Sequence, residues 1–173
     1  MKKDNLYLFI ILSVLALLAR LIWHLPNFSP LASLLLFAGA YASQRKYWIL
    51  PFLALILSDL ALGLYAWQLM LTIYGSLALN LLFGLYLKKH GHWINVGSAT
   101  LLSALTFFLI TNLAVWQFSH WYAHSLTGLM LCFTLAIPFF FNTLLSNILY
   151  TGLLFAPVKI MTTIKNRQLA TNK

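Results

Sequence analysis

The 173-residue sequence contains no glutamate, and Asp4 and Asp59 are its only acids. Charged residues make up 8% of the chain, against about 25% in ordinary soluble domains. So few charges cannot cover the surface of a water-soluble globule, which excludes a soluble enzyme and a disordered tail. One cysteine, Cys132, leaves no partner for an intramolecular disulfide and excludes a disulfide-framed secreted module. The chain also lacks an internal repeat, a low-complexity segment, a long polar loop and any nucleotide-binding motif. Neither a soluble catalytic domain nor ATP hydrolysis by the chain itself is therefore expected. Any function must be built from apolar segments and the short loops between them.

Those segments are abundant, since 62% of residues are apolar. A bilayer core about 30 Å thick takes roughly 20 apolar residues per helix. The runs 5–23, 30–43, 48–66, 70–87, 96–116 and 126–158 predict an all-α, polytopic membrane protein of six transmembrane helices in a single domain spanning 1–173. They are continuous rather than alternating, which disfavours a β-barrel. The last apolar run reaches Met161 and is too long for one straight crossing; Pro138 should kink it or loosen a turn, and Pro157 should mark its end. The lysine-containing start resembles a signal peptide, but Ala16 and Ala19 do not make an A-x-A cleavage site, so the first run reads as a retained span.

Net charge is +9, yet the basic residues sit at the ends of apolar runs, a topogenic pattern rather than a nucleic-acid-binding one. Lys2 and Lys3 precede span one, Arg45 and Lys46 follow span two, and Lys88 and Lys89 follow span four. Lys159, Lys165, Arg167 and Lys173 follow span six, and the three alternate loops carry no lysine or arginine. Both termini are thus expected on the cytoplasmic side of a bacterial inner membrane, with the lipid bilayer as the obligatory partner.

Ionisable groups within hydrocarbon are costly and mark functional candidates. Arg20 lies in the outer part of span one and Asp59 in the outer half of span three. They read either as a structural ion pair or as part of a polar ligand cavity. His24 and Asn27, in a proline-stiffened loop that could dip into the membrane, and Thr111, Asn112 and Trp116 are expected at the same depth. These seven residues are the candidate substrate site; an aromatic belt explains the tryptophans and tyrosines equally well. His120 and His124 are spaced i, i+4, which would place them on one face of a helical turn, but no glutamate lies between them and only His24 or Cys132 could serve as a third ligand, so no metal and no cofactor is assigned. Cys132 has apolar surroundings and reads as packing. Asn80, Asn142 and Asn147 read as interhelical hydrogen-bonding residues. No residue pair offers an acid–base arrangement, and an enzyme is not expected.

The stretches Arg20…His24-x-Pro26-Asn27-Phe28-x-Pro30, Leu36-Phe37-x-Gly39-Ala40-Tyr41, Ser58-Asp59-x-x-Leu62-Gly63, Phe107-Phe108-Leu109-x-Thr111-Asn112-x-x-Val115-Trp116 and Pro138-Phe139-Phe140-x-Asn142-Thr143-Leu144 resemble an uncharacterised family of small six-span bacterial membrane proteins. In layout, that family resembles the S components of energy-coupling-factor (ECF) vitamin transporters. The second resemblance implies an S-component-like bundle that binds a vitamin-like micronutrient from outside. It also implies toppling beside a transmembrane coupling protein driven by two ATPases. S components typically present alanines spaced four apart on span one; here Ala16 and Ala19 are spaced three, and the nearer match is Ala38 and Ala42 in span two. The alternative is a structural or assembly protein with no ligand.

Overall fold

A computed structural model describes residues 5–22 and 25–171, and within them every regular element is a helix. In chain order these are α1 (Leu6–Ile22), α2 (Leu31–Tyr41), a short 3-10 turn (Arg45–Trp48), α3 (Ile49–Leu62), α4 (Trp67–Lys89), α5 (Trp93–Phe118) and α6 (Leu126–Thr171). Each apolar run of the sequence thus becomes one helix. Helices α4, α5 and the Leu126–Ile164 part of α6 are long and apolar enough to cross a membrane. The others are shorter: 17 residues in α1, 11 in α2 and 14 in α3. At about 1.5 Å per residue, α2 covers only about 17 Å.

The short helix α2 is the centre of the molecule. Ten of its eleven residues are buried, so it has no polar face to offer water. Close backbone contact with α4 accounts for Gly39 and Gly84. A Cβ on Gly39 would lie 2.4 Å from the Leu81 carbonyl oxygen, and one on Gly84 would lie 2.2 Å from that of Leu36. Only a residue without a side chain allows the two backbones this close. On its other flank α2 runs alongside α6. Ser33 donates to the Asn147 carbonyl at 3.2 Å, and the Phe37 and Phe155 rings meet edge-on at 5.3 Å. Outward-facing leucines on α4, α5 and α6, such as Leu71, Leu101 and Leu145, remain exposed, as lipid-facing residues would be.

Basic loops gather at one end of this bundle. Helices α2, α4 and α6 run in the same direction, so Arg45 and Lys46 after α2 lie toward the same end as Lys88 and Lys89 closing α4. Lys159 on α6 reaches the α4–α5 connection, where its Nζ donates to the Gly91 carbonyl and lies 4.6 Å from the centre of the Trp93 ring. Asn5 ties the start of α1 to the same end, donating to the Tyr41 carbonyl at 2.8 Å and accepting from Ser43.

Two expectations require correction. Helix α6 is continuous over 46 residues and passes through both Pro138 and Pro157, so Pro157 does not end it. A proline removes only one helical donor; packing of α6 against α5 and α2 holds the turns on either side, and Lys159 is anchored just beyond Pro157. Residues 119–125, holding His120 and His124, fold as a bend outside the helices, so the two histidines do not share a helical face.

Candidate functional site

Arg20 and Asp59, far apart in sequence, form an ion pair of 2.6 Å between α1 and α3. Asp59 is 2% exposed and well supplied with donors: besides Arg20, Tyr74 donates to its Oδ2 at 2.7 Å and Tyr65 at 3.4 Å. Arg20 is held on the α3 side by Ser58 Oγ at 2.5 Å and the Leu55 carbonyl at 3.4 Å. Several well-placed partners offset the desolvation cost of a buried ion, whereas one left alone is costly. The pair is therefore ordered before any ligand arrives. Its two members differ in position: Asp59 is enclosed, while Arg20 is 23% exposed and forms part of the wall of a cavity.

That cavity has a volume of about 300 Å³ and is half open. Leu31 and Ala32, in the first turn of α2, are in its wall. Arg20 on α1, Leu55 and Leu62 on α3, and Thr143, Ser146 and Asn147 on α6 also line it. Ile73, Leu77 and Phe107 contribute apolar wall from near the middle of α4 and α5. The site thus sits about halfway along the long apolar helices.

The α1–α2 connection frames the entrance with Leu25, Asn27 and Phe28. Leu25-Pro26-Asn27-Phe28 is a tight turn closed by a 3.1 Å hydrogen bond from the Phe28 N–H to the Leu25 carbonyl. Proline presets the second position, and Asn27 adopts φ 59°, a left-handed backbone that asparagine tolerates better than most residues. Asn142 on α6 donates to the Pro26 carbonyl at 3.1 Å, and Phe28 packs edge-on to Tyr150 at 5.9 Å. Two α6 residues therefore hold the turn down beside the cavity.

The structure brings together some of the expected residues and separates others. Arg20 and Asn27 line the cavity, and Asp59 stands directly behind Arg20. His24 lies outside the described residues. Thr111 and Asn112 are about one helical turn beyond Phe107 and turn their polar atoms onto their own helix, donating to the Phe107 and Phe108 carbonyls at 2.7 Å each. Trp116 donates to the Ala123 carbonyl at 3.0 Å and braces the α5–α6 loop. None of these three is in the cavity wall. Among the described residues no three His, Cys, Asp or Glu side chains come together as a metal site. Cys132 is buried, its Sγ 3.5 Å from the Asn112 carbonyl.

The α6 wall was the missed part. Asn147 bridges helices as expected, donating to Ser103 Oγ at 3.0 Å. Its Oδ1, however, is buried without a hydrogen-bond partner. Thr143, Ser146 and Asn147 are spaced i, i+3, i+4, so one helical face carries all three. That spacing was the available signal.

Residues 1–170 match the model of the family described as Family of unknown function (DUF6580), and the chain belongs to that family. No curated protein and no solved structure matches the chain.

Proposed function

We propose that this chain is a six-span protein of the bacterial cytoplasmic membrane that binds a small, vitamin-like micronutrient from the outer side for uptake. Both termini lie in the cytoplasm in this reading, and the whole chain is one transmembrane domain. It works as a binding subunit rather than an enzyme, similar in layout to an ECF S component, and passes its ligand on with a coupling protein and its ATPases. The observation that carries the reading is the half-open cavity of about 300 Å³, with Arg20, Asn27, Ser29 and Asn147 among its lining residues. Its volume falls at the small end of the range of about 300–1,000 Å³ typical of ligand pockets. The shortness of α2 supports it too. Non-helical backbone at membrane depth is tolerated where it is buried in protein or lines a cavity, and the turn at 25–28 borders this one.

The rival reading is a structural protein in which Arg20 and Asp59 only lock α1 to α3. The saturation of Asp59 by Arg20, Tyr65 and Tyr74 favours it. Replacing both charges separates the two. Asp59→Leu alone strands a buried cation and should cost about 3 kcal/mol or more. Arg20→Leu with Asp59→Leu should recover most of that stability in thermal unfolding, because paired charges of this kind are replaceable by apolar groups. On the binding reading, the stable double variant no longer retains the small molecule that copurifies with wild type. A stable double variant that keeps the same molecule would remove Arg20 from the site.

A further inference from the structure

We infer that the ligand is an amphiphile, with an uncharged polar head seated in the cavity at Arg20 and an apolar tail lying in a second recess beside it. The inference rests on the binding reading above and adds the chemical class of ligand.

The second recess is a groove of about 280 Å³. Leu15, Ala16 and Ala19 on α1, Leu34 on α2, and Tyr150 and Leu153 on α6 line it. Helix α1 packs chiefly on α3, and α6 on α5 and α2, which leaves the groove between α1 and α6. Apart from Tyr150, its described lining is aliphatic. Ala16 and Leu34 are buried, whereas Leu15 and Leu153 are exposed on the outside of the bundle, like the other lipid-facing leucines. In a bilayer the groove therefore opens sideways, to hydrocarbon. An apolar recess left empty forfeits the dispersion contacts of its walls, so a hydrocarbon chain is its natural occupant.

The groove is continuous with the surroundings of the cavity. On α1, Ala19 lines the groove and the next residue, Arg20, lines the cavity. At the start of α2, Pro30 lines the groove, while Ser29 and Leu31 on either side of it line the cavity. Phe28 of the cavity meets Tyr150 of the groove edge-on at 5.9 Å. The α1–α2 connection is thus the boundary between a recess that holds polar groups and one that is apolar. A molecule lying across that boundary places its two ends in two different solvents.

A tail alone is a poor ligand here. Lipid chains are as apolar as leucine, so a groove of this kind selects little by itself. Selection comes from the cavity, where Arg20 is partly exposed, Asn27 is exposed and Ser29 is half-buried. Arg20 offers donors, and an asparagine amide both donates and accepts. Charge and depth then narrow the head. Asp59 already neutralises Arg20, so a charged head would carry its charge uncompensated into the membrane interior, which is costly. The cavity also lies about halfway along the long apolar helices, within the hydrocarbon layer rather than at headgroup level. An uncharged head on an aliphatic or isoprenoid tail meets these conditions. A bilayer phospholipid, whose charged headgroup sits at the surface, does not.

The test uses the full chain purified in mild detergent. Bound small molecules are extracted into organic solvent and into water and quantified by mass spectrometry. Wild type is compared with the paired Arg20→Leu, Asp59→Leu variant for the cavity and with Ala19→Leu, which fills the groove. Leu145→Trp, at an exposed α6 position outside the lining of either recess, is the control. Asn27→Gly and Leu153→Trp take the place of a cavity or groove variant that fails to fold. The expected result is one organic-soluble compound with an uncharged head, reduced at least tenfold by the cavity variant and by the groove variant and unchanged by Leu145→Trp. A retained compound that is water-soluble, carries a charged head or is unaffected by filling the groove would overturn the amphiphile assignment and leave the binding reading standing. A compound lost from the groove variant alone would be a membrane lipid chain lodged there, and would also overturn the assignment. Bulk phospholipid alone, in equal amount from every protein, would sink the binding reading with it.

Discussion

At the scale of single residues, Arg20 and Asp59 could be singled out in the sequence because charge inside apolar runs is so rare here that each instance needs a reason. Asn147 could not. An asparagine within a helical run ordinarily hydrogen-bonds to a neighbouring helix, and Asn147 does so through its nitrogen; that its oxygen is left over follows from the packing around it. Thr111 and Asn112 misled for a related reason. Threonine and asparagine readily satisfy themselves on the preceding helical turn, and both do. Asn27 combines a backbone role with a position in the cavity wall, and two substitutions separate them. Asn27→Gly keeps the positive φ available and removes only the side chain, so stability should be unchanged while ligand retention falls. Asn27→Val forces a β-branched residue into the left-handed region and should cost about 1–2 kcal/mol as well. Thermal unfolding with ligand retention reads both. An Asn27→Gly variant that retains ligand fully would assign the residue to the turn alone.

At the scale of elements, the number of helices was readable from apolar run length and the ends of the runs were not. Proline signals a helix boundary in isolation, yet α6 continues through Pro157; what keeps it helical is contact with partners distant in sequence. The brevity of α2 was visible as the short run 30–43, but its central position was not, since a helix enclosed by other helices and one facing lipid are apolar all round in the same way. Packing of α2 against α4 can be tested with glycines on one helix. Gly84→Ala places a methyl group against the Leu36 carbonyl and should destabilise by about 1–3 kcal/mol. Gly75→Ala, also on α4, meets nothing within 4 Å and should instead stabilise by about 0.5–1 kcal/mol through helix propensity. Equal effects of the two in thermal unfolding would contradict the close α2–α4 contact.

At the scale of the whole molecule, the charge pattern and the fold agree. The alternation of basic and uncharged loops assigned a common side to the ends of the second, fourth and sixth runs, and Arg45, Lys46, Lys88, Lys89 and Lys159 do gather at one end of the bundle. Crossing number and sidedness can be measured with added cysteines, because Cys132 is buried and should not react with a polar reagent. His120→Cys should react with a membrane-impermeant maleimide on intact cells. Gln44→Cys should react only after permeabilisation. Labelling of both positions from the same side would break the six-span arrangement.

The central claim is that the cavity between Arg20 and Asn147 holds a small molecule. Its most direct test is mass spectrometry of compounds extracted from protein purified in mild detergent, with wild type and Asp59→Asn side by side. Asp59→Asn removes the charge that holds Arg20 in place while keeping a side chain of the same size. The account predicts one compound enriched with wild type and lost from a folded Asp59→Asn variant. Nothing but lipid from either sample, or the same compound in equal amount from both, would contradict it.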